Sequence, residues 1–150
     1  MLHRNCCRRR GATVIEMAVV FPVLILLLFG LVVGGMGIYR YQQVAHLARE
    51  GARYASVRGT DYQREVSGAT AATAQSVYDN AIKPQAVALD LAKLTYQVTW
   101  NSTNSPSTTT NFELPVGNTV SVTVTYQWFP EWFLIGPITF SSTSTLPMSY

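Results

Sequence analysis

The chain has 150 residues, enough for one domain core and too few for two. Its apolar share is 48% and its charged share only 13%, about half of what a soluble domain carries, which points to a membrane or a packed assembly. The net charge of +3 does not mark a nucleic-acid partner: Arg4, Arg8, Arg9 and Arg10 all precede the apolar segment, and the other seven basic residues are offset by eight acidic ones.

In chain order, Cys6 and Cys7 come first. Adjacent cysteines bridge poorly, and everything after them is cysteine-free, so the fold must stand without disulfides. A lipoprotein cysteine would follow an apolar stretch, whereas these precede it. From Met17 to Ile38 the sequence carries no charge. As a helix that run is about 33 Å long, against ~30 Å of hydrocarbon. It is longer than a secretory signal core and lacks a small-residue exit. The arginines ahead of it keep the N-terminus cytoplasmic and send the remainder across. The expected organisation is therefore a basic leader over 1–11, a transmembrane helix over 12–39 and an exported domain over 40–150. Glu16 stands at the start of the span, where a helix N-terminus favours an acid. Pro22 and the glycines at 30, 34, 35 and 37 are tolerated in a membrane helix. Gly30 and Gly34 form a small-residue face that permits close helix contact.

The helical pattern continues past the span as a stalk over 40–58. Val44, Ala48, Ala52 and Ala55 share one stripe, while Arg40, Arg49, Arg53 and Arg58 can face water. Glu50 is placed to pair along the helix with Arg49 or Arg53. Gly59 reads as a C-cap, and Thr60 with Gln63 as a capping box. A helical region follows over 60–92: a helix from Ala69 to Ile82, ended by Lys83-Pro84, then a short turn within Gln85–Lys93.

From Leu94 the period becomes two. Leu94, Tyr96, Val98 and Trp100 alternate with polar residues, as do Val120, Val122, Val124 and Tyr126; Ile138, Phe140, Leu146 and Met148 share parity in a last segment. The expected fold is α+β: a long N-terminal transmembrane and stalk helix carrying a small pilin-like head, with about three antiparallel strands over 94–150 packed on helices. Asn101–Asn111 reads as a polar loop, mobile or else a contact tip, and Asn101-Ser102-Thr103 fits a glycosylation sequon. The aromatic run Trp128-Phe129-Pro130-Glu131-Trp132-Phe133 has two readings, a partner or membrane contact and rings that close a small core.

No nucleophile elbow, zinc-protease, phosphate-loop or C-x-x-C pattern occurs. His46 is the one histidine beyond the leader, four residues from Glu50 in a solvated position, and the acids show no dyad spacing. The sequence asks for no catalytic residue, cofactor or metal.

The join Arg8-Arg9-Arg10-Gly11-Ala12, with Glu16 the fifth residue after Gly11 and a full apolar span behind it, resembles the processing site of type IV pilins and pseudopilins. The resemblance implies a prepilin peptidase cutting between Gly11 and Ala12 on the cytoplasmic side. The run from Arg10 to Gly59 is more narrowly similar to the TadE-like family, minor pseudopilins of the tight-adherence (Tad, type IVc) pilus. It carries Glu16-Met17-Ala18, Pro22 before a leucine-rich stretch, Gly30 ahead of Gly34, and the signature Ala48-Arg49-Glu50-Gly51-Ala52-Arg53-Tyr54-Ala55. Major pilins of that system are far shorter and carry tyrosine after the glutamate; Met17 and a real exported domain favour a minor subunit. The resemblance covers about a third of the chain. It implies a structural role in Tad pilus assembly at the bacterial inner membrane, alongside other pilins, pseudopilins and the assembly platform. The competing reading is a signal-anchored envelope protein whose head recognises a ligand or surface.

Overall fold

The computed structural model describes residues 10–87, 89–108, 116–130 and 136–150. The first element, α1, is a 47-residue helix, Arg10–Ser56, that continues through Pro22 without a break. The chain divides into two units, one ending at Ile38 and one comprising Tyr39–Tyr150.

In the first unit, α1 presents large apolar side chains all round. Val14, Val19, Phe21, Leu26, Leu31 and Ile38 are among those largely exposed, and no residue of the most apolar 18-residue window is buried. A helix that is apolar on every side and covered by none of the described residues is matched to lipid rather than water. Among the described residues there is thus one helix, near the N-terminus, long and apolar enough to cross a membrane, as fits a single-pass membrane protein.

In the second unit, the remainder of α1 becomes one-sided. Val44, Leu47, Ala48, Ala52 and Ala55 are completely buried, while His46, Arg49 and Arg53 are exposed. The sheet that covers this stripe is antiparallel, in the order β1 (Leu94–Trp100), β4 (Thr119–Trp128), β5 (Ile138–Pro147). The register sets Val98 opposite Val122, Val120 opposite Leu146, and Tyr126 opposite Phe140. Val120, Val122 and Val124 are fully buried, so the period-two parity expected for this strand is the observed one. On the solvent face, hydroxyls pair across β4 and β5: Ser121 with Thr145 (3.0 Å), Thr123 with Thr143 (2.8 Å) and Thr125 with Ser141 (3.1 Å). Such cross-strand pairs explain why that face is almost entirely serine and threonine. The fold class is the expected α+β.

Three local expectations change. The helix expected from Ala69 begins only at Ala74: α3 is Ala74–Val77, followed by a π-helical turn, Tyr78–Ile82. Gly68 takes a left-handed conformation (φ 82°), and the Ala72 amide donates to the Arg58 carbonyl at 2.7 Å, so the chain is committed elsewhere until Thr73. Thr73 and Ser76 then form a reciprocal capping box.

Gly59 is not a C-cap. Its backbone is extended, it precedes the short helix α2 (Thr60–Glu65), and there is no Thr60–Gln63 capping box. Glycine is needed there for close approach, because an added Cβ would collide with the Tyr150 carbonyl oxygen and lie 2.8 Å from that of Asn104. The Thr60 hydroxyl instead donates to the Asn104 carbonyl at 2.7 Å.

The polar loop is also more structured than expected in its described part. Ser107–Thr108 (β2) pairs with Val116–Gly117 (β3). Asn104 donates through its side chain to the Ala72 carbonyl at 2.8 Å. The buried Asn118 side chain donates to the Thr103 hydroxyl and the Ser105 carbonyl, both at 2.8 Å. Residues 109–111 of that loop lie outside the described residues, as do Arg4, Arg8, Arg9, Cys6, Cys7, and Glu131, Trp132 and Phe133 of the aromatic run.

Candidate functional site: the faces of the first helix

The residues expected to matter all lie on α1, in two groups. Gly11 and Ala12 belong to its first turn. Glu16, one turn further, is exposed. Gly30 and Gly34 have no heavy atom within 4 Å of where a Cβ would sit, so the small-residue face is open to an outside partner. That openness is the geometry through which small residues let two membrane helices approach.

The second group is the signature run, and the structure divides it. Ala48, Gly51, Ala52 and Ala55 turn inward. A Cβ on Gly51 would lie 3.1 Å from Val122 Cγ1 and 3.4 Å from Ile82 Cγ1, so this glycine is where β4 and the π-helical turn reach the helix. Half of the signature is therefore a packing motif of the second unit. Its polar half stays outside: Arg49 and Arg53 are exposed and Glu50 is half-buried. The expected pairing of Glu50 does not form. Among the described residues the ion pairs are Arg64–Asp61 (3.0 Å) and Lys93–Asp90 (3.7 Å), each three residues apart and solvent-facing. Tyr54 is engaged by Arg58, whose guanidinium lies 4.2 Å from the ring centroid, with Tyr62 at 5.7 Å on the same cation. Such contacts at exposed sites contribute about 0.5–1 kcal/mol each.

Sequence reasoning missed two features around the end of α1. The Ser56 carbonyl accepts from the amides of Ser149 (2.8 Å) and Tyr150 (3.3 Å), and Asn118 accepts from the Met148 amide (2.8 Å). Together they tie the segment after β5 to the last turn of the helix. The Gly117-Asn118 pair is a turn signal that marks the spot. Nothing local in the sequence marks Ser56. Among the described residues, no group of three histidine, cysteine, aspartate or glutamate side chains gathers as a metal site would require.

Neither the curated proteins nor the solved structures yield a match to this chain. The protein-family comparison does: the model described as TadE-like protein matches residues 11–53, from the proposed processing glycine to the second arginine of the signature. That match makes the N-terminal segment similar to the TadE-like family and suggests an association with the Tad pilus.

Proposed function

We propose that the protein is a structural minor pseudopilin that acts in assembly of a Tad-type (type IVc) pilus and is not an enzyme. The observation that carries this reading is the extent of the TadE-like match, residues 11–53, which spans the glycine junction, the apolar helix and the small-residue face together. A prepilin peptidase cuts between Gly11 and Ala12 on the cytoplasmic side of the bacterial inner membrane. The first turn of a helix lacks intrahelical acceptors for its amides, so opening it at this junction costs little. Cleavage removes the leader arginines, which resist extraction from the bilayer, and creates an amine on Ala12. When helices pack, Glu16 enters apolar surroundings where a carboxylate needs a cationic partner, and the Ala12 amine of a neighbouring subunit supplies it. The Gly30–Gly34 face provides close approach to other pilins and pseudopilins of the system, which the assembly platform brings together.

The test is Gly11→Val in cells with an active prepilin peptidase. A branched side chain beside the scissile bond should leave the leader attached and the protein inactive in assembly. Normal maturation of that variant contradicts the site.

A further inference from the structure

Arg58 is a cation held in place without a counter-charge. Its amide donates to the Ala55 carbonyl at 3.4 Å, and its own carbonyl accepts from the Ala72 amide at 2.7 Å. The backbone is therefore pinned from both sides. Tyr54 lies four residues before it and Tyr62 four residues after, and both rings attend the guanidinium. An aromatic face attracts that charge but supplies none of the lone pairs its N–H donors take. Among the described residues no ion pair and no side-chain hydrogen bond uses those donors. The acid that helical spacing offers, Asp61, is committed to Arg64 at 3.0 Å.

Tyr54, Arg58 and Tyr62 line a cavity of about 260 Å³ that Thr70, Ala72 and Asn80 help to complete. The turn that brings the chain back to it passes through Gly68 (φ 82°), with the Ala69 amide donating to the Val66 carbonyl at 3.0 Å. Drug-sized ligands take pockets of roughly 300–1,000 Å³, so the occupant here is a group of few atoms. Arg58 is the one charged side chain among the described lining residues, and Asp79, next to Asn80, accepts from Gln75 at 2.9 Å. A single guanidinium balances a single carboxylate, and its fork of N–H groups matches the carboxylate oxygens. Phosphate carries more charge and calls for further cations or a row of helix amides. The tyrosine rings and the Ala72 methyl also offer apolar surface to a carbon stem, which phosphate lacks.

We propose that Arg58, with Tyr54 and Tyr62, anchors a pocket that binds one carboxylate, with Thr70 and Asn80 at its edge. A small free acid and an acidic side chain of another protein present the same oxygens to Arg58. The site lies wholly within the second unit. It goes beyond the proposed function and holds whether or not the leader is cut.

The test is a nuclear magnetic resonance titration of the isotope-labelled full chain in detergent micelles, read at the Arg58 Nε–H, the Thr70 amide and the Asn80 side chain. The probes are acetate, a capped alanine-glutamate-alanine peptide, the same peptide with glutamine, and inorganic phosphate. Saturable shifts are expected with the carboxylates, and binding about tenfold weaker or worse in Arg58→Gln. Arg58→Lys should lose less, because an ammonium keeps the charge but not the fork. A glutamate peptide that binds more tightly than acetate assigns the carboxylate to a protein; acetate that binds as tightly assigns it to a free acid. Absence of saturation by either carboxylate, equal shifts with the glutamine peptide, phosphate binding as tight as theirs, or unchanged affinity in Arg58→Gln overturns the pocket. If Arg58→Gln disturbs the ring signals of Tyr54 and Tyr62, the two peptides compared on the parent chain still decide.

Discussion

The helix α1 meets two different surroundings along its length, and its glycines record the change. Around Gly30, Gly34 and Gly35 there is nothing within 4 Å of a Cβ position; around Gly51 there is Val122 at 3.1 Å and Ile82 at 3.4 Å. The apolar side chains change in the same way. Leu26, Leu27 and Leu31 are more than half exposed, whereas Val44 and Leu47 are completely covered. The upstream stretch is left uncovered by the described residues. The downstream stretch is completed by its own sheet. Bulk on all sides suits the first, and a narrow stripe of alanine and glycine suits the second, because a sheet must approach closely to cover it.

The largest effect expected from breaking this contrast is Val122→Asp. Val122 is fully buried against Gly51, so an unpaired charge there should cost about 3 kcal/mol or more. Thr123→Asp, on the hydroxyl-lined face, should be nearly neutral. Urea unfolding or limited proteolysis in detergent measures both, and equal resistance of the two would mean the strand parity is wrong.

Next comes the glycine pair. Gly51→Leu should overpack the contact with β4 and destabilise the second unit by about 1–3 kcal/mol. Gly34→Leu should leave that stability unchanged, because nothing lies near it. Its effect should appear in recovery of helix-packing partners from membranes. If Gly51→Leu is silent in unfolding, the helix–sheet contact is not as described; if Gly34→Leu retains every partner, that face is not used.

The smallest change in the isolated protein is expected from Glu16→Ala. Glu16 is exposed on the helix, so the monomer should insert, mature and fold as the parent does. Within the proposed assembly, loss of a charge-assisted contact of roughly 1.5–3 kcal/mol should reduce recovery of pilin partners about tenfold or more. Wild-type recovery in a co-purification assay would reduce Glu16 to an interfacial acid.

Much of this arrangement was legible in the sequence because it is periodic. The uninterrupted apolar run, the stripe of Val44, Ala48, Ala52 and Ala55, and the alternation in β1, β4 and β5 each follow from one repeat length. What was not legible depends on contacts distant in sequence. The start of α3 is set by Thr73 after the Ala72 amide has been taken by Arg58. The role of Gly59 is set by the carbonyls of Tyr150 and Asn104 rather than by its own backbone angle. The polar loop is held through Asn104 to Ala72 and through Asn118 to Thr103, links that no periodicity announces. At the candidate site, the inward turn of the alanines followed from the stripe. The part played by Gly51 did not, since it required knowing where Val122 would lie.

In the proposed function the apolar helix is retained as a working part of a processed pseudopilin. The most direct measurement is the intact mass of the protein extracted from membranes of cells that carry the complete pilus system. A mature chain beginning at Ala12 is expected, with the whole apolar run still attached. A chain that retains Met1, or one cut beyond Gly37 so that the helix is lost, would contradict it.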